Sequence, residues 1–253
     1  MIHRKPLVAA VLFVLATSTT ALAQAPAEAP PPDRNPFLYL FHNLVLDAKR
    51  LPSVETAMTL GIGSGLALAV HPADDTVAER ATAGGPRDFY RVGSTIGDGW
   101  AQVGFAVGTY ATGFITRRQS MAHFGADLVR AQAINAALTQ GIKFAVQRER
   151  PNNPGGTSYS MPSGHTSSAF ATSAVVWRHY GWKAGLPASA ISAWVGAGRV
   201  QLGQHFVSDV VLGAAIGTLA GRTVTIGHGR RVVSVAPAAV RGGGAVVFTL
   251  VER

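Results

Sequence analysis

Residues 143–170 run KFAVQRERPNNPGGTSYSMPSGHTSSAF. A basic run ends at Pro151, and the ten residues NNPGGTSYSM that follow are turn formers. Pro162-Ser163-Gly164-His165 then opens an apolar run. A residue before proline is pushed out of the α region, so a helix that ran on toward Arg150 would have to end at Pro151. Seven residues are about two helical turns, so such a helix would carry Lys143 and Arg150 on one face. Pro162 to Thr166 reads as a new helix start, with Ser163 or Thr166 as N-cap and Gly164 making the turn. Two helices joined by so short a loop must bring their ends together. The free N–H groups of the second helix are also an anion site in waiting, beside a hydroxyl and an imidazole.

Along the rest of the chain, helical patterns recur at 37–51, 54–70, 99–116, 122–147, 166–180, 185–199 and 206–221. Segment 54–70 is almost wholly apolar, and Gly61, Gly63 and Gly65 suit it to close helix–helix contact. Residues 71–97 are charged and rich in Gly and Pro, so they read as loop with a short helix near Asp88–Val92. No alternation of period two occurs before Val224. The fold expected is therefore all-α, a bundle of five or six helices. RRVVSVAP (230–237) and GAVVFTLV (244–251) are β-branched runs that predict a C-terminal β-hairpin. The domain reading is a signal peptide over 1–23, a Pro/Ala-rich leader and amphipathic helix over 24–53, the helical domain over 54–222, and a β-rich tail over 223–253.

The N-terminus has a basic His3-Arg4-Lys5, an apolar run from Leu7 to Ala16, and Ala21-Leu22-Ala23 before Gln24. That is the pattern of a cleaved secretory signal, with an uncleaved inner-membrane anchor as the alternative. The apolar helices of about 15–17 residues fall short of the roughly twenty a span needs. A soluble or loosely membrane-associated envelope protein is expected over an integral one. The chain has no cysteine, which excludes disulfides and thiol chemistry. Its formal charge of +9 suits anionic partners. No basic run interleaved with aromatics occurs, so nucleic acid is not expected.

A third cluster, GRVQLGQHFVSD (198–209), places His205 six residues after Arg199 and Asp209 four after His205. On a helix that pair would be i,i+4 neighbours, so the carboxylate could hold one ring nitrogen and expose the other. Each cluster alone has an ordinary reading, as a solvated helix end, a cap or a surface pair. Together they supply the cations Lys143, Arg150 and Arg199, a hydroxyl, a helix N-terminus and two histidines. Phosphoryl transfer without a metal needs that inventory.

The sequence Lys-six-Arg-Pro, Pro-Ser-Gly-His and Arg-five-His-three-Asp resembles the type 2 phosphatidic acid phosphatase (PAP2) superfamily. That superfamily includes bacterial class A acid phosphatases and vanadium haloperoxidases. Gly198 departs from the serine usual before the third-motif arginine, losing a hydroxyl but no charge. The resemblance implies a PAP2/haloperoxidase-type helical bundle and a metal-independent phosphatase working through a phosphohistidine. It implies His205 as nucleophile, Asp209 orienting it, and His165 as general acid. Lys143, Arg150, Ser163, Gly164 and Arg199 would hold the phosphate. No cofactor or metal is expected, and vanadate is expected to inhibit. The substrate would be a phosphorylated lipid or a small phosphomonoester. The alternatives are a vanadate-dependent haloperoxidase and a non-catalytic envelope phosphate-binding protein. His42, His71, His123, His179 and His228 read as surface or packing residues. Asp98 and Asp127 read as cap and helix-surface residues, Trp100, Trp177 and Trp194 as helix packing, and Tyr159 as a pocket border.

Overall fold

The computed structural model describes residues 35–224 apart from 85, 154 and 157, with the backbone of 231–240 and 243–252. Its helices are α1 (Pro36–Lys49), α2 (Val54–Val70), α3 (Asp74–Thr82), α4 (Arg87–Ile96), α5 (Gly99–Ile115), α6 (Gln119–Val146), α7 (Gly164–Tyr180), α8 (Trp182–Gln201) and α9 (Val207–Thr223). Several starts are set by side chains that satisfy the free N–H groups of a first turn. Asn35 accepts from Phe37 N–H, Ser53 from Thr56 N–H, and Asp98 from the N–H groups of Trp100 and Ala101.

The all-α reading holds for the helical body, with helices more numerous than expected. Residues 71–97 are mostly helical, where a loop with one short helix was expected. Asp74 and Asp75 sit in the first turn of α3, where their charge complements the positive end of the helix dipole. The signal sent Gly and Pro to the ends of these helices, at Pro72, Gly84 and Pro86, where they punctuate without interrupting.

α6 is the central element. Leu128, Ala131 and Ile134 on it are buried with Ala171 and Val175 of α7 and Ala220 of α9. The α7–α9 contact is made possible by glycine at every fourth position of α9. A Cβ on Gly217 would collide with the Ser167 carbonyl, one on Gly221 with that of Ala171, and one on Gly213 would stand 2.7 Å from that of Ser163. The backbones therefore approach closely, and dispersion accumulates along the whole seam. At its upper end Ser163 N–H donates to the Asp209 carbonyl at 3.0 Å, which fixes the start of α7 against the start of α9. Of the three α2 glycines expected at contacts, only Gly63 meets a neighbour, Ala215. Gly61 and Gly65 face open space.

A buried ionic group ties α1, α6 and α7 together at the other end of α6. Arg130 donates to Asp47 at 2.8 Å and to Asp127, whose second oxygen hydrogen-bonds His179 Nε2 at 2.8 Å. Asp127 is thus not a helix-surface residue but 3% exposed, because His179 of α7 and the Arg130–Asp47 pair close over it. Trp100 is likewise 85% exposed rather than packed, whereas Trp194 stacks on Phe89 with ring centroids 4.9 Å apart.

Among the described residues no single helix is long and apolar enough to cross a membrane. α1 taken with the continuous α2–α3 segment passes that test only as a pair bent by 73°. Many large apolar side chains nevertheless face outward, Phe37, Ile62, Leu68, Phe105 and Ile115 among them. The expected signal peptide and most of the expected leader fall in residues 1–34, outside the described residues. The expected C-terminal β-hairpin is not supported as part of this fold. Arg231–Val240 runs antiparallel to Gly243–Glu252, but the side chains of both segments lie outside the described residues and no packing on the helices is established.

Candidate active site

The end of α6, the start of α7, the end of α8, the start of α9 and the α4–α5 junction meet at one end of the bundle. α6 does not reach Arg150. It stops at Val146, and Gln147 caps it in the left-handed region (φ 51°), donating to the Lys143 carbonyl at 2.9 Å. Lys143 is helical and Arg150 is not, so a loop rather than a shared helix face unites them. Ser160 N–H donates to the Arg148 carbonyl at 2.7 Å and Lys143 Nζ to the Tyr159 carbonyl at 2.7 Å, folding that loop back on α6. Tyr159 therefore borders the site through its backbone.

The cations converge. Gln204 Oε1 accepts from Arg150 at 2.9 Å and from Arg199 at 3.5 Å, and Arg199 also donates to Ser94 Oγ. Burial, then the Arg150 charge, brings Lys143 down to about 8. The same two causes bring Arg199 down to about 10, and burial lowers Arg150. Arg199 Nε is buried and carries no hydrogen bond. Three mutually repelling, partly desolvated cations gain most from a bound anion, which is the electrostatic signature of a functional site.

Ser163 is fully buried and precedes α7, but its Oγ pairs with Thr166 Oγ at 2.9 Å and does not cap the helix. Gly164 is the first residue of α7 rather than a turn residue, so its N–H is one of the unpaired donors of that helix start. His165 Nε2 lies 3.6 Å from Asp98 Oδ2. Burial, then Arg199, pulls His165 down to about 4, while Asp98 pulls it up. Asp98 caps α5 as expected and also faces this histidine.

His205 is not on a helix. It precedes Phe206, the N-cap of α9, and Asp209 is the third residue of that helix. Asp209 Oδ2 accepts from Phe206 N–H at 2.9 Å, and His205 Nδ1 stands 3.6 Å from it, beyond hydrogen-bond reach. The expected His–Asp hydrogen bond is thus replaced by a close electrostatic pairing, because the carboxylate is already capping a helix. Burial lowers His205 to about 4 against the opposing pull of Asp209.

Five contributors escaped the sequence reading: Gln204, Ser94, Asp98 (as a partner of His165), Arg148 and Asp74. Gln204 adjoins His205 and Arg148 lies within KFAVQRERP, so both were within sight of a motif. Ser94 and Asp74 carry no local signal. A cleft of about 730 Å³ opens beside Arg150, lined by Arg87, Arg148, Glu79, Asn152 and Phe206. Among the described residues no group of three or more His, Cys, Asp or Glu is placed to hold a metal ion.

A PAP2 superfamily model matches residues 124–232. The lipid A 1-phosphatase of Porphyromonas gingivalis is 33% identical over 98 residues, 36% of this chain and 22% of its own length. The lipid A 4'-phosphatase of Helicobacter pylori is 41% identical over 56 residues, 22% of this chain and 28% of its own. The decaprenylphosphoryl-5-phosphoribose phosphatase of Mycobacterium tuberculosis is 33% identical over 123 residues, 46% of this chain and 66% of its own. The chain therefore spans about a quarter of the first two relatives. A transmembrane PAP2 type phosphatidylglycerolphosphate phosphatase from Bacillus subtilis superposes with TM-score 0.49 at 22% identity, covering 73% of this chain and 92% of that one. Through residues 124–232, which hold all the motif residues, the chain belongs to the PAP2 superfamily.

Proposed function

We propose that the chain is a membrane-associated phosphatase of the cell envelope that hydrolyses phosphate monoesters or (pyro)phosphates of lipids through a phosphohistidine, without a metal. The observation that carries this reading is the gathering of Lys143, Arg150 and Arg199, the last two on the shared acceptor Gln204, with His165 and the buried His205 at the same end of the bundle. In the proposed reaction His205 Nε2 forms a P–N bond as the P–O ester bond breaks. The electron pair leaves with the ester oxygen, which takes a proton from His165. Water then attacks phosphorus, the P–N electrons return to His205, and His165 accepts the water proton. The products are an alcohol and inorganic phosphate. The three cations and the Gly164 N–H would neutralise the non-bridging oxygens, each such donor being worth about 3–4 kcal/mol in the transition state.

A lipid rather than a wholly soluble ester is favoured by exposed apolar side chains that neighbour site residues in sequence. Trp100 lies two residues beyond Asp98, Ile96 two before it, and Phe144 follows Lys143. They are 85%, 41% and 66% exposed. Apolar side chains held in water near a cationic cluster suit a ligand with a phosphate head and apolar chains, or the surface of a bilayer.

The test is hydrolysis of an aryl phosphate and of phosphatidate in vesicles, with and without EDTA, together with capture of an acid-labile, base-stable phosphoenzyme from labelled substrate. Turnover unaffected by EDTA, blocked by vanadate and lost with the phosphoenzyme in His205→Ala is expected. Activity lost to EDTA and restored by a metal, or near-normal turnover in His205→Ala, would refute the mechanism.

A further inference from the structure

We infer that Asp74 and Arg148 are positioning residues that hold and charge-balance Asp209 behind His205, an assignment that rests on the proposed reading of the site. Arg148 Nη1 donates to Asp209 Oδ1 at 3.0 Å and to Ser208 Oγ at 2.7 Å, and its Nη2 donates to Asp74 Oδ2 at 2.9 Å. The guanidinium lies 3.9 Å over the Phe206 ring, which fixes its plane. Asp74, 2% exposed at the start of α3, accepts from Ser208 N–H at 3.0 Å, from Ser208 Oγ, and pairs with His71 Nδ1 at 2.8 Å. The α2–α3 corner is thereby latched to the first turn of α9, one residue from Asp209.

The charges explain why Asp74 is needed. Arg148 alone would neutralise Asp209 and leave His205 without a negative neighbour. With two carboxylates sharing one guanidinium, a net negative charge remains behind His205, where an imidazolium or N-phosphoryl imidazole must be stabilised. The other charged or titratable groups around His205 and Asp209 are Arg199 of α8, Arg150 of the loop, Lys143 of α6, His165 of α7, and His71 beyond Asp74. All except His71 are unchanged in their contacts by a substitution at Asp74. None of the three motifs contains Asp74, and Arg148 is one of the unspecified residues between Lys143 and Arg150.

Two substitutions should move His205 in opposite directions. Asp74→Asn removes the compensating negative charge and lowers the His205 pKa. Arg148→Gln removes the positive charge between the carboxylates and raises it. Shifts of about half a unit or more are expected from charge changes at this range. They are read from the pH titration of the His205 ring resonances in full-length, isotopically labelled protein, with melting curves as the check on folding. On an aryl phosphate both variants should lose about tenfold in kcat, with vanadate inhibition changed less than about twofold. Arg148→Lys should leave the His205 titration within about 0.3 unit of the parent. Shifts in the same direction, or no shift in either, overturn the assignment. If one variant does not fold, the sign of the other decides, and failure of both to fold assigns the pair a purely structural role. Opposite shifts in a protein that hydrolyses no phosphate ester would uphold the positioning network and refute the phosphatase reading instead.

Discussion

Asp98→Asn isolates the charge that faces the proposed general acid. Asp98 Oδ2 lies 3.6 Å from His165 Nε2, while Oδ1 caps α5 by accepting from Trp100 and Ala101 N–H. Asparagine is as good an N-cap as aspartate, so the helix start survives and only the charge is lost. Two unit charges about 4 Å apart interact by about 1 kcal/mol in water and about 4 kcal/mol at an effective dielectric near 20. The His165 and Asp98 side chains are 25% and 43% exposed, so screening holds the value near the lower figure. About 1.4 kcal/mol corresponds to one pKa unit. Asp98 raises His165 against the lowering by burial and by Arg199 that leaves it at about 4. Its removal therefore lowers the pKa further, and the protonated acid is lost at lower pH. In a pH profile of kcat/KM on an alkyl phosphate, whose leaving group needs the proton, the alkaline limb should move about 0.7 unit down. Rates on that limb should fall about fivefold, and rates on the acid side should be unaffected. A loss of the same size at every pH, or an unmoved limb, would refute the pairing of Asp98 with His165.

Other expectations follow from the same geometry. Gln204→Ala frees both Arg150 and Arg199 from their shared acceptor, and should lower kcat/KM by about tenfold or more with little change in melting temperature. Trp100→Ala with Phe144→Ala removes two exposed apolar side chains that neighbour site residues in sequence. It should raise the apparent KM for phosphatidate vesicles several-fold, on the order of 1–2 kcal/mol of apolar burial, and leave aryl phosphate kinetics unchanged. Gly217→Ala drives a methyl into the Ser167 carbonyl across the α7–α9 seam and should destabilise by about 1–3 kcal/mol in thermal or denaturant unfolding. Gly61→Ala, which meets nothing within 4 Å, should instead be neutral or stabilising by up to about 1 kcal/mol.

What could be read in the chain was local. Helix periodicity, turn-rich breaks and three motifs at fixed spacing pointed to the helical class, the PAP2 resemblance and eight candidate site residues. The fold brings those eight residues to one end of the bundle. The helices expected over 122–147 and 206–221 agree with α6 and α9 to within three residues. What did not hold was the extension of the first through Arg150 and the placing of His205 on a helix with Asp209, because Gln147 turns left-handed and His205 lies just outside α9. Residues 71–97 looked like loop because glycine and proline crowd the breaks between helices that are short but stable once packed.

Periodicity and spacing are properties of neighbouring residues, so the order of residues along the chain sets which chemical groups are available and roughly which helices carry them. What surrounds those groups comes from packing between distant segments. Asp74 lies 74 residues from Arg148 and 134 from Ser208, yet it bonds both. Asp127 became a buried ion partner because Arg130 and His179 close over it, and Asp98 gained a histidine because α5 begins against α7. Burial and charge pairing are sums over every segment that packs around a point, and no single stretch of chain contains that sum.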